Sequence, residues 1–330
     1  MNEFSDPTKS TQLLEVAGLK VHFPVRSGVL GKTSAVVHAV DGVSFSMRRG
    51  ETLGLVGESG SGKSTLGKAI MRLVDPTAGS VTVNGDDITN LDRKALKPYR
   101  RHVQMVFQDP YSSLNPRIPV GRIVAEALKV HGLQTGNEAR EIVADIFRKV
   151  GLRASDMQKF ANEFSGGQRQ RIGIARALVL KPSLIVADEA VSALDVSVQA
   201  QVVNLFADLQ AEFNLSYLFI AHDLSIIAQV CDRIAVMYLG QIVEIASRHE
   251  IFSAPRHPYT RSLLDSIPAT TPNTRRAERL LLNQDMPSAV NPPSGCRFRT
   301  RCPMATPECT QTSPEMKPMT ESHSVACLQA

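Results

Sequence analysis

An apolar run, Thr52 to Val56, leads directly into Gly57-Glu58-Ser59-Gly60-Ser61-Gly62-Lys63-Ser64-Thr65, and no other segment constrains the fold of the chain as tightly. The pattern G-x-x-x-x-G-K-[ST] closes a buried strand and opens a helix. Its glycines let the backbone curl so that successive N–H groups aim inward at phosphate oxygens, and the helix starting near Lys63 adds its positive end. Lys63 is placed to reach the outer phosphates of a nucleotide and Ser64 to set a hydroxyl on Mg²⁺, with Gly57, Ser59, Gly60, Ser61, Gly62 and Thr65 completing the loop. A Gly/Ser-rich loop without chemical meaning is the bland alternative, and the strand before, the helix after and the filled fixed positions weigh against it.

A second apolar strand, Leu184 to Ala187, ends in Asp188-Glu189. Carboxylates at the carboxyl edge of a parallel sheet stand where nucleotides bind, so Asp188 suits Mg²⁺, directly or through water, and Glu189 suits a general base that polarises the attacking water. Tyr217 to Ala221 reads as a third strand. Helical patterns lie between the strands. In Ser197–Phe213, for example, Val198, Val202, Leu205, Phe206 and Leu209 share one face. Strands separated by helices predict an α/β domain with a largely parallel sheet. Leu13 to Phe45 reads instead as short antiparallel strands with a loop at about 27–34 between them.

Composition supplies the outer limits. The 330 residues are 43% hydrophobic and 21% charged, as in globular proteins, and no apolar run approaches the ~18 residues of a membrane-spanning helix. The start, MNEFSDPTKS, lacks the basic and apolar regions of a signal peptide, which predicts a cytosolic chain. Thirty-seven basic against 32 acidic residues leave a charge of +5, and without a basic run this carries no nucleic-acid signature. Nine of the 19 prolines and four of the five cysteines fall after residue 265, which places a boundary near 266. That final segment has too few apolar residues to build a core unaided.

Phe164-Ser165-Gly166-Gly167-Gln168 precedes an Arg/Ala/Leu-rich helical stretch, and Ser165 with the Gly166 and Gly167 amides makes a second anion-binding helix start. Here the chain resembles the ATP-binding subunits of ATP-binding-cassette (ABC) transporters, whose signature is usually Leu-Ser-Gly-Gly-Gln; Phe164 stands for the Leu. The resemblance covers roughly residues 13–265. It implies a P-loop NTPase cassette with a parallel-sheet core, an antiparallel N-terminal β subdomain and a helical signature subdomain at about 109–164, followed by a cysteine-bearing extension over 266–330. It also implies ATP and Mg²⁺ as cofactors and a head-to-tail dimer in which Ser165, Gly166, Gly167 and Gln168 meet the ATP of a partner subunit. Gln108 resembles the glutamine that contacts Mg²⁺ and the water, Asp195 lies in a loop resembling the one that crosses the dimer interface, and His222 resembles the switch histidine at the γ-phosphate. Ala190 departs from the proline common there, a change that bears on loop stiffness. Phe23 is the candidate for stacking on adenine, with a core or edge role as its alternative.

Soluble relatives of this family usually carry two cassettes or a long coiled coil, whereas roughly 100 residues without heptads separate Lys63 from Ser165. A transporter motor is therefore expected over a soluble ATPase acting on nucleic acid or ribosomes. The region 108–164 would then offer a groove to a coupling helix of a transmembrane partner. Met237 to Glu244 and Arg256-His257-Pro258-Tyr259-Thr260 resemble peptide-permease ATPases, most nearly the F-type subunits of dipeptide permeases. The resemblance implies a second, non-identical D-type ATPase, two permease subunits, a periplasmic or surface solute-binding protein, and a peripheral position on the cytoplasmic face of the inner membrane. Importers of nickel or glutathione are similar. Cys296, Cys302, Cys309 and Cys327 are spaced more widely than the C-x₂₋₄-C pairs of structural zinc sites, and structural disulfides are rare in the cytosol. The resemblance implies a [4Fe–4S] cluster, with zinc or unligated thiols as the alternatives. Cys231 reads as a small buried residue.

Overall fold

A computed structural model describes residues 12–27, 32–109, 111, 113–266 and 285–330. Half of the loop expected at 27–34 (28–31), Pro110 and the first part of the proline-rich segment lie outside the described residues.

The N-terminal strands are long, not short: β1 (Gln12–Ser27) and β2 (Lys32–Arg48) run 16 and 17 residues. Val43, Phe45 and Met47 are buried at alternate positions, as the two-residue period of a strand requires. β3 (Thr52–Val56) and α1 (Lys63–Ile70) flank the phosphate-loop motif as expected. β4 (Ala78–Val83) and β5 (Asp86–Asp87) pair antiparallel and complete a four-stranded sheet in the order β2-β1-β4-β5.

The chain then forms α2 (Leu96–His102), β6 (Val103–Val106), α3 (Val120–Val130), α4 (Gly136–Lys149) and α5 (Gly166–Leu178). β7 (Leu184–Asp188), α6 (Val196–Phe213), β8 (Ser216–Ala221), α7 (Leu224–Val230), β9 (Arg233–Tyr238) and β10 (Gln241–Ser247) follow. The last elements are α8 (Arg248–Ser253), α9 (Pro258–Asp265), α10 (Glu308–Gln311), β11 (Lys317–Pro318) and β12 (Ser324–Val325). Among the described residues no helix is long and apolar enough to cross a membrane.

Two compact units are built from interleaved pieces of the chain. In the unit containing residues 82–220, β6, β7 and β8 pair in parallel, Val103 opposite Leu184 and Leu184 opposite Ser216. β7 and β8 are buried along their whole length, which is why they read as continuous apolar runs. α6 packs through Val202, Val203, Leu205, Phe206 and Leu209. Val198 is only half-buried and Val203 takes its place in the core, a correction that a helix start facing partly outward explains. Phe206 meets Tyr217 and Phe219 edge-on, ring centroids 5.3 and 5.4 Å apart. Gly167 of α5 lies so close to α6 that a Cβ there would stand 2.4 Å from Val198 Cγ1.

In the unit containing residues 221–330, β3 pairs parallel with β9, and β10 continues antiparallel on the other side of β9. Cys231 is buried at the end of α7, as expected. The described tail, 285–330, belongs to this unit. Its β12 adds to β10, Val325 opposite Glu244, and β11 adds to β12. Phe298, 1% exposed, is the tail's largest apolar anchor and sits among Tyr238, Tyr259 and His257, centroids 5.2 to 5.6 Å away. Glu244 is fully buried and accepts from the Arg256 and His257 amides and pairs with His323 at 2.7 Å. The tail thus borrows a core from the sheet, which meets the shortage of apolar residues read from its sequence. Phe298→Ala should cost about 3–5 kcal/mol; thermal unfolding checks this, and a melting temperature equal to wild type would show that the tail does not depend on this anchor.

Candidate functional site

The phosphate loop emerges from β3 and turns into α1. Gly62 has φ +105°, and a Cβ there would stand 2.0 Å from the Ala39 carbonyl oxygen; one at Gly57 would stand 2.1 Å from the Met237 carbonyl oxygen. Only glycine permits so close an approach of backbone to backbone. The turn is closed by Ser61 N–H donating to Glu58 O at 3.2 Å, and Gly240 N–H donates to Ser61 O at 2.8 Å. Lys63 is 4% exposed, and its ammonium donates to the Gly57 and Glu58 carbonyls at 2.8 Å. Ser59 and Gly60 are exposed, and Ser64 and Thr65 are half-buried in the first turn of α1. The loop is also gripped from outside. Glu58 N–H donates to the Tyr259 hydroxyl at 2.8 Å, and both Glu58 carboxylate oxygens lie 3.1 Å from Arg301 Nη1.

The acidic pair is in the other unit. β7 extends one residue beyond the expected strand, so Asp188 is its last residue, buried at 5% exposed. Glu189 follows in the left-handed region, φ +47°, a conformation that costs a non-glycine residue of order 1–3 kcal/mol and gathers at functional sites. Its N–H donates to Ile220 O at 2.9 Å, and its carbonyl accepts from the Ser192 hydroxyl at 2.9 Å. These bonds turn the carboxylate out of the strand, where Gln108 Nε2 donates to its Oε2 at 2.7 Å. Gln108 and Glu189, singled out independently in the sequence, are therefore neighbours.

The signature stretch begins α5 itself, earlier than the helical pattern suggested. Ser165 is the N-cap: its Oγ accepts from Gln168 N–H at 3.3 Å, and Gln168 Oε1 accepts from Ser165 N–H at 3.0 Å, a reciprocal capping box. Phe164 is buried, consistent with a packing role in place of leucine. Arg169 lies over the exposed Tyr111 ring at 4.0 Å, and Arg176 donates to Ser113 O at 2.6 Å, so α5 holds the segment that follows Gln108. Asp195 stands at the N-cap position of α6, and the next residue, Val196, is 82% exposed. His222, between β8 and α7, is exposed. Phe23 is 40% exposed, in the second half of β1.

His22, His38 and Asp41 bring donor atoms within 4.8 Å of one another. Arg297 pairs with Asp41, and Lys20 lies 3.7 Å from the same carboxylate. Burial alone would raise the Asp41 carboxyl, but Arg297, His22 and Lys20 outweigh it and hold it below its usual range. With two cations on one carboxylate the group is an ion-pair network and has no charge left for a metal.

The four tail cysteines are neighbours. Burial raises the Cys296 thiol, with Cys309 and Cys327 adding to the shift, and pushes Cys302 to about 11, with the other three sulfurs adding. Each sulfur has a polar neighbour: the Phe298 and Arg299 amides at Cys296, the Met304 amide at Cys302, Gln329 N–H at Cys327 (3.4 Å) and the Thr306 hydroxyl at Cys309 (3.4 Å).

A strand–loop–helix phosphate cradle and an acid-tipped parallel strand define the class: a P-loop nucleotidase cassette. Comparison with known proteins is specific. An ABC transporter family model matches residues 40–192, and a model of the oligopeptide/dipeptide transporter C-terminal region matches 243–309. The oligopeptide transport ATP-binding protein AppF of Bacillus subtilis is 52% identical over 317 residues, 96% of each chain. A putative peptide import ATP-binding protein of Brucella abortus, BAB2_0818, is 49% identical over 97% of this chain and 98% of its own. Among solved structures, the ATP-binding cassette MJ0796 in a dimeric post-hydrolysis state with ADP and Pi superposes with a TM-score of 0.64 at 26% identity, covering 72% of this chain and 99% of that one. The chain belongs to the ABC family of transport ATPases, in its oligopeptide/dipeptide group. It is an ATP-binding, ATP-hydrolysing cassette with the family's C-terminal region.

Lys63→Ala deletes the cation placed for the phosphates and should weaken ATP binding by about tenfold or more; calorimetric titration of the purified chain measures it, and unchanged affinity would count against the loop assignment.

Proposed function

We propose that this chain is the motor of a bacterial importer of dipeptides or oligopeptides, held peripherally at the cytoplasmic face of the inner membrane by separate permease subunits. The observation that carries the reading is the peptide-transporter C-terminal match at 243–309, joined to near-full-length identity of about one half with relatives named for oligopeptide transport and peptide import. A cleft of about 680 Å³ among the helices of residues 118–158, lined by Ile118, Gly121, Arg122, Glu126, Arg140 and Met157, supports the reception of a coupling helix from a permease subunit. The F-type subunit of a dipeptide permease, paired with a non-identical ATPase and fed by a solute-binding protein, is the assembly we infer.

In this reading the loop amides of 57–65 and Lys63 hold the β- and γ-phosphates, and Phe23 stacks on adenine. Ser64, Asp188 and Gln108 supply the hard oxygen ligands that suit Mg²⁺, which would offset phosphate charge. Glu189 accepts the proton of the attacking water, Gln108 orients that carboxylate, and His222 donates to the γ-phosphate. Ser165 and the Gly166, Gly167 and Gln168 turn face the ATP of a partner subunit. Asp195 crosses to that subunit, and the exposure of Val196 beside it supports an interface there. ATP closes the pair, and hydrolysis reopens it.

For the tail, Cys296, Cys302, Cys309 and Cys327 would ligate a [4Fe–4S] cluster. Thiolates on one zinc lie about 3.8 Å apart, given Zn–S bonds near 2.3 Å. Among the described residues no three cysteine sulfurs lie within 4.8 Å of one another, wider than that zinc spacing. The amides at three of the sulfurs are the donors that tune thiolate ligands. The cluster would cross-link a segment poor in core residues.

Two measurements test these readings. ATPase activity of the complex reconstituted with its permease subunits should rise with di- or oligopeptides and their binding protein; stimulation by nickel or glutathione alone would reassign the solute. Anaerobically purified protein should contain about four iron and four sulfide per chain, and stoichiometric zinc or no metal would remove the cluster.

A further inference from the structure

The permease-type C-terminal region carries two residues that no nucleotide motif contains and that meet on the phosphate loop. Both act on Glu58, the first variable position after Gly57. Tyr259, at the second position of α9, is fully buried, and its hydroxyl accepts the Glu58 amide N–H at 2.8 Å. Arg301, immediately before Cys302, has a side chain 5% exposed and forks one nitrogen to both Glu58 oxygens at 3.1 Å, while its guanidinium lies 5.8 Å from the Tyr238 ring. Arg297, immediately after Cys296, donates to Leu239 O, and the neighbouring Gly240 N–H holds Ser61 O at 2.8 Å. The segment Cys296–Cys302 therefore touches the loop directly through Arg301 and once more through the β9–β10 turn.

Physically, Glu58 is a hazard in a site built for polyanions. A carboxylate on the phosphate loop repels a nucleotide unless it is neutralised, and Glu58, its side chain 29% exposed, is only partly screened by water. Arg301 neutralises it and holds it facing the tail, and the Tyr259 bond fixes the Glu58 peptide plane from which the loop starts. We propose that Tyr259 and Arg301 are positioning residues for nucleotide binding, so that the cysteine-bearing tail sets the affinity of the phosphate loop for ATP. Neither residue touches the nucleotide; each acts through Glu58. This proposal rests on ATP binding at the loop.

The test is calorimetric titration of the full-length chain with MgATP, together with steady-state hydrolysis. Wild type must bind, or the loop reading and this proposal fail together. Arg301→Met should weaken ATP binding and raise KM about tenfold with kcat little changed, since it strands the Glu58 charge. Adding Glu58→Gln to Arg301→Met should restore most of the affinity, a rescue that a merely structural arginine would not show. Tyr259→Phe, which deletes one hydroxyl, should weaken binding by a few-fold. Arg299→Met, which removes the same charge from a tail arginine whose side chain bonds Ser294 among the described residues, should bind as wild type. Wild-type affinity in Arg301→Met, failure of Glu58→Gln to rescue it, or an equal loss in Arg299→Met would overturn the proposal.

Discussion

The close approach of backbone to backbone around residues 57–62 is the constraint on which the site depends. A Cβ at Gly62 would stand 2.0 Å from Ala39 O and one at Gly57 2.1 Å from Met237 O, so the loop is shaped from β2 on one side and β9 on the other. Lys63, drawn inward onto the loop's own carbonyls, is held within that shape. Because the closest walls are backbone, the cradle varies little with side-chain motion, and preorganised N–H groups bind phosphate without further ordering.

The other half of the chemistry uses a different device. Glu189 is held in a left-handed conformation by bonds to Ile220 O and from Ser192, which turn its carboxylate out of the strand and onto Gln108. A non-glycine residue keeps such a conformation only where its surroundings over-determine it, and the buried strands β7 and β8 provide that rigidity. Strain sits at the proposed base, and stability comes from the sheet behind it.

Much of this was legible in the sequence for identifiable reasons. The strands β3, β7 and β8 are buried on both faces and so read as unbroken apolar runs, and the phosphate loop is local chemistry in consecutive residues. The pairing of Gln108 with Glu189 spans 81 positions and could be anticipated only through resemblance to a family. Other features left no local trace. The length of β1 and β2 is set by tertiary pairing, the exchange of Val198 for Val203 by the partly outward-facing start of α6, and the grip of Arg301 on Glu58 spans 243 positions with no motif to announce it. Tyr259 was visible as part of His-Pro-Tyr, but its target was not. The tail's dependence on the sheet was foreshadowed only by what it lacked, an apolar core.

ATP binding at the phosphate loop and water activation by Glu189, its proposed base, should be separable functions of one cassette. Substituting Glu189 by Gln separates them, keeping shape and hydrogen bonding while removing the proposed base. ATP affinity should stay near wild type, ATP-bound dimers should accumulate in sedimentation, and turnover should fall by at least about a hundredfold, the scale of a general base. Hydrolysis at the wild-type rate in that variant would contradict the account.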